Sequence, residues 1–157
     1  MAPQLAQPTW LAGQDWLLSC ARNPTAVRRA WAADECACIP SGGHWMVAEG
    51  SLLPSLRVMK FLGAGRLGPV LVDVAAGLAW WLIPADPGGG LDHIRQLTVH
   101  ASGWPLMCPP VLRPVGERGW LERPDGSGDL TDPVELSAAF DQARSVNGRP
   151  RPPQRSY

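Results

Sequence analysis

The chain is poor in charge, nearly without lysine, and has no unbroken apolar run long enough to span a bilayer. Charged residues make up 18% of 157 residues. Its longest apolar stretch, Val70 to Pro84, is interrupted by Asp73 and Gly77, whereas a spanning helix needs about 18 or more apolar residues in succession. The opposite charges cancel, 14 against 14. A chain without net positive charge lacks the global electrostatic grip that holds nucleic acid or an anionic membrane, although a local patch remains open to it. Lys60 is the single lysine; the other thirteen cations are arginine. With 17 glycines and 17 prolines, this usage points to GC-rich codons before it points to a phosphate-binding set.

No amino-terminal segment joins basic residues to a long apolar run, so no secretory leader is expected. The four cysteines, Cys20, Cys36, Cys38 and Cys108, are therefore expected to be reduced in a cytoplasmic protein with no membrane partner. Gly88-Gly89-Gly90 lacks the lysine and hydroxyl that complete a phosphate loop, and nothing in the sequence calls for a cofactor.

What remains is ordinary globular material, 45% hydrophobic, enough for one domain with a sizeable core. Residues 1–8 read as a loose tail, 9–147 as the domain and 148–157 as a second tail. Apolar spacing predicts a helix from Thr9. Asn23-Pro24, a cap followed by a helix-starting proline, predicts another to about Ala33. Cys36–Pro40 and His44–Ala48 read as strands about a Ser41-Gly42-Gly43 turn. A helix starting at Ser51 or Pro54 should end at Gly63 or Gly65. Pro69–Val74 and Leu78–Ile83 are apolar throughout, which predicts strands covered on both faces, joined by Ala75-Ala76-Gly77. Leu91–Leu97 reads as a short helix. Thr98–Ala101, Leu106–Cys108 and Gly119–Glu122 read as short strands. Thr131 or Asp132 should cap a last helix with Pro133 in its first turn. The class is α+β: one mostly antiparallel sheet, two amino-terminal helices, a central helix and a carboxy-terminal helix.

Several residue sets invite chemistry. Cys36 and Cys38 alternate on a strand and share a face; with His44 they form the nearest approach to a metal cluster, although one intervening residue is tighter than zinc sites use. Ordinary reduced thiols are the competing reading. Asp73 stands inside an apolar strand, where a carboxylate must be paired or protonated. It is either a catalytic acid or a strand-end residue capped by a backbone amide. His100, with Asp73 and Ser102, has the composition of a hydrolase triad, but no nucleophile elbow surrounds the serine. Arg57, Lys60 and Arg66, near the third helix, are the cations that would have to gather for nucleic-acid binding. Of eight tryptophans, Trp80 and Trp81 send one ring to each face of their strand, and Trp81 is the candidate for an exposed binding surface.

The order of elements also resembles a family. Trp16-Leu17, Trp31, Ile39-Pro40-Ser41-Gly42, Gly68-Pro69-Val70-Leu71, Trp81-Leu82-Ile83-Pro84, Pro109-Pro110, Gly119-Trp120-Leu121, Pro124-Asp125-Gly126 and Leu130-Thr131-Asp132-Pro133 follow one another. This succession is similar to that of small actinobacterial proteins related to the amino-terminal domain of bifunctional DNA primase/polymerases, over roughly residues 10–146. The resemblance implies a primase/polymerase-like α+β domain. It does not carry over catalysis: the family uses an Asp-x-Asp pair, a serine-histidine element and a further acid. Ser41-Gly42-Gly43-His44 echoes the second of these, but Asp73 has no acid two positions on. The expectation is a degenerate, non-catalytic domain that binds nucleic acid, a nucleotide or a protein. A small enzyme around Asp73 and His100, or a protein adaptor with an exposed tryptophan surface, are the alternatives.

Overall fold

The computed structural model describes residues 8–85, 91 and 94–147, the last three by backbone alone. It is an α+β fold. The first helix, α1 (Thr9–Ser19), buries Leu17 and Leu18. The Asn23 side chain accepts from the Ala26 amide at 3.1 Å and Pro24 opens α2 (Pro24–Ala32), as a capping residue followed by proline should. Strands β1 (Ala37–Pro40) and β2 (Met46–Ser51) follow, then α3 (Leu52–Leu62). Gly63, with φ of 74°, stops α3 in a conformation that costs a residue with a side chain more. A single turn of 3-10 helix (Ala64–Arg66) leads to β3 (Val70–Asp73) and β4 (Leu78–Ile83). Short strands β5 (Leu97–Val99), β6 (Pro105–Cys108) and β7 (Arg118–Glu122) precede α4 (Pro133–Asn147).

The strands divide into two antiparallel sheets where one was expected. Five form the order β5-β2-β4-β3-β7, and β1 pairs with β6 in a separate ribbon. Alternation along each strand sends side chains to two faces. One face carries Val70, Val72, Trp81 and Ile83 into a core closed by Val58 and Leu62 of α3 and Leu136, Ala139 and Phe140 of α4. The other carries Val47, Leu71, Trp80, Leu82 and Trp120 against the ribbon and against α1 and α2 through Leu17, Val27, Trp31, Ile39 and Leu106. Every residue of β4 after Leu78 is buried, so its continuous apolar run reflects cover on both sides.

One local expectation changes and another narrows to one of its alternatives. Leu91–Leu97 is not a helix where it is described: Ile94 and Leu97 donate to Leu91 and Ile94, at 3.0 and 3.2 Å, and Leu97 enters β5 opposite Gly50. Successive turns give the same three-residue apolar spacing as a helix. At the carboxy-terminal end, Asp132 is the cap, accepting from the Glu135 amide at 3.1 Å. Thr131 is fully buried and instead accepts from the Gly68 amide at 3.0 Å. The Pro124-Asp125-Gly126 turn packs on α1 at Gly13, where an added Cβ would lie 1.8 Å from the Pro124 carbonyl oxygen; only glycine permits that approach. Among the described residues no helix is long and apolar enough to cross a membrane. The tails expected at 1–8 and 148–157 lie outside the described residues except for Pro8.

Candidate functional site

Glu49 of β2 is paired in register with Trp80 of β4 on one side and Thr98 of β5 on the other. Its carboxylate therefore projects from the middle of the sheet onto the ribbon side. The Trp80 indole donates to Glu49 Oε1 at 2.8 Å. His100 Nε2 lies 3.4 Å from the same oxygen but off hydrogen-bond alignment, so this buried nitrogen makes no hydrogen bond. The imidazole stacks on Trp104, centroids 3.9 Å apart and planes within 5°. On the far side, the Arg118 guanidinium covers the Trp80 ring at 4.5 Å, reaches Asp73 Oδ2 at 3.3 Å and donates to the Met107 carbonyl at 3.0 Å. A line of polar and aromatic groups thus draws on all five strands of the sheet, from His100 just past β5 through Glu49, Trp80 and Arg118 to Asp73.

Asp73 is the strand-end residue. Its Oδ1 accepts from the Ala76 amide at 2.9 Å, closing the turn before Gly77. That bond, with help from Arg118, holds its carboxyl below the usual range against the opposing effect of burial. Asp73 and His100 do not share a pocket: β3 and β5 stand three strand positions apart, about 14 Å across the sheet. The carboxylate beside His100 is Glu49, which sequence reasoning missed. Its signal was the one Asp73 had, a lone acid in an otherwise small and apolar strand.

Ser41 is not poised for catalysis either. It is buried, and its hydroxyl is bonded to the Trp104 amide at 3.2 Å and the Ala101 carbonyl at 3.4 Å. It fastens the turn before β2 to the loop after β5. A Cβ on Gly42 would meet the Ser102 hydroxyl at 2.1 Å, so Ser102 belongs to the same junction. His44 sits exposed beyond that turn. Cys36 and Cys38 line a cleft that does not include His44, and among the described residues no three His, Cys, Asp or Glu side chains are close enough to hold a metal ion. Gly88-Gly89-Gly90 lies outside the described residues.

Trp81 is wholly buried. Its indole donates to Ser55 Oγ at 3.2 Å and its ring meets Phe140 edge-on at 6.2 Å. Trp80 is equally hidden, leaving Trp10 as the exposed tryptophan among the described residues. The exposed binding surface expected at Trp81 is therefore absent: the sheet is covered on both sides, so neither ring of the pair reaches solvent.

One exposed apolar stripe among the described residues lies on α3. Leu53, Leu56 and Phe61 are 66%, 37% and 49% exposed. At 100° per residue they form one stripe with Arg57 and Lys60, both exposed, and α3 contains no acidic residue. Arg66 does not join them. It lines a cleft of about 430 Å³ with Arg123, Glu122, Asp125, Asp129 and Asp132, so two of the three expected cations share a surface and the third faces carboxylates. Within that cleft, burial and the neighbouring Asp125 raise the Glu122 carboxyl, while bonds from Ser127 lower Asp125.

No protein-family model matches the chain, and no curated protein or solved structure matches it.

Proposed function

We propose that this chain is a primase/polymerase-like domain that binds rather than catalyses, and that single-stranded nucleic acid meets the outer face of α3. The observation that carries this reading is the acid-free stripe of Arg57 and Lys60 among Leu53, Leu56 and Phe61. Cations neutralise backbone phosphates, and an exposed ring offers a stacking surface that accepts any base. The engagement of Asp73 in a turn and of Ser41 in a loop junction supports binding over an enzymatic role.

The test is fluorescence anisotropy with a labelled oligo-dT of twenty nucleotides at low salt. Affinity is expected on the order of 10⁻⁵ M, with a salt slope near −1.4, roughly −0.7 for each of two phosphates. Arg57→Glu with Lys60→Glu should abolish binding. Phe61→Ala should weaken it by about fivefold or more, one stacked base. Failure to bind single-stranded or duplex DNA at low salt overturns the nucleic-acid reading.

A second reading has its own observation. The apolar side chains on this stripe, Leu53, Leu56 and Phe61, outnumber its two cations, which suits a protein contact. Sedimentation comparing the parent chain with Leu53→Asp tests self-association there; a strict monomer in both cases overturns it.

A further inference from the structure

The ribbon places two sulfur atoms on one face, and a third stands at its start. Cys38 is the register partner of Met107 across β1 and β6, so their Cβ atoms stand about 4.5–5.5 Å apart on the same side. Cys36 stands immediately before β1, two residues ahead of Cys38. Burial follows this alternation: Ala37, Ile39, Leu106 and Cys108 are buried, Cys38 and Met107 are exposed, and Cys36 is intermediate. Cys36 and Cys38 also line a common cleft of about 510 Å³ between α2 and β1, with Ala26 of α2, Arg22 from the loop before it and Pro105 of the ribbon.

We propose that Cys36, Cys38 and Met107 form a binding site for a soft monovalent cation, copper(I). Two thiolates and a thioether are a donor set that soft ions prefer; zinc takes four ligands from cysteine, histidine and carboxylate and finds too few here. Cys38 is common to both observations, the register pair with Met107 and the cleft shared with Cys36, and the thioether arm of Met107 is long and adaptable. Binding forms two copper–thiolate bonds and one copper–thioether bond and releases both thiol protons to solvent, with no change in oxidation state. The bound unit carries one negative charge, and Arg22 at the cleft wall is the cation beside it. Burial pushes the Cys36 thiol up while Arg118 opposes the shift; the metal displaces that proton directly. Cys108, buried on the opposite ribbon face with its thiol well above the ordinary range, takes no part.

The test is competition for copper(I) between the reduced, full-length protein and a chromogenic bicinchoninate-type chelator, without oxygen. One equivalent should be withheld from the chelator, and silver(I) should displace it. Cys36→Ser and Cys38→Ser should each abolish retention. Met107→Leu, which keeps the volume, should weaken it by no less than the roughly tenfold that loss of even an outer-shell partner costs. Circular dichroism of each variant separates ligand loss from unfolding. No retained copper(I), retention undiminished in the Cys36→Ser, Cys38→Ser double variant, or tighter retention of zinc(II) than of copper(I) overturns the assignment.

Discussion

Trp81 and Trp80 are neighbours on β4 and face opposite ways. Trp81 makes one hydrogen bond, to Ser55, and otherwise sits in the apolar core under α3 and α4. Trp80 donates to a carboxylate, lies under a guanidinium and borders the ribbon. One side of the sheet is therefore held mainly by packing. The other mixes packing with a line of polar and charged groups, four of whose side chains keep between 18% and 26% of their surface exposed. The difference follows from what covers each side. Two helices lay broad apolar stripes on one side; on the other a narrow two-stranded ribbon shares the cover with α1 and α2 and leaves the ends of the strands within reach of water. Charged groups are tolerable where that partial hydration remains.

The contrast is broken most severely on the packed side. Trp81→Ala should cost about 3–5 kcal/mol in urea unfolding, the range for emptying a buried aromatic site; a loss below about 1 kcal/mol means that side is not the main anchor. On the charged side, Glu49→Leu should cost about 1–3 kcal/mol by leaving the Trp80 N–H unpaired. Adding Trp80→Phe should then cost less than it does alone, because both polar partners are gone, and a double-mutant cycle reads that coupling. Additive losses would mean the indole–carboxylate bond contributes nothing.

The smallest effect concerns acid. Folded Asp73 titrates below its ordinary value, so its contribution is complete above an unfolded pKa of about 3.9 and is lost as pH falls through the lower folded value. Asp73→Asn should flatten the stability profile below about pH 4 and leave its shape near neutrality unchanged. An identical acid limb in both proteins refutes the turn-closing role.

Much of the local architecture was legible. Asn23-Pro24, Gly63, the glycine after Asp73-Val74-Ala75-Ala76, and Asp132-Pro133 act within a few residues of themselves, so their meaning does not depend on the rest of the chain. The candidate site was legible only in pieces. Asp73 was visible as a carboxylate in an apolar strand, and its reading as a capped strand end holds. Its partner Arg118, 45 residues away, carried no mark. Glu49 meets Trp80 and His100 only because β4 and β5 flank β2. The apolar spacing of Leu91, Ile94 and Leu97 suggested a helix because turns repeat at the same interval.

What the amino-acid order determined by itself is where each segment starts, stops and turns, because caps, prolines and left-handed glycines are governed by backbone sterics and bonds over three or four residues. It also determined that β3 and β4 are hidden on both sides, since unbroken apolar runs have nowhere else to go. Only the tertiary structure decided that the strands split into a sheet and a ribbon, that Trp81 is interior while Phe61 is exposed, and that Cys38 faces Met107. Those outcomes depend on strand order and register, which are chosen by the summed burial of the whole chain rather than by any one stretch of it.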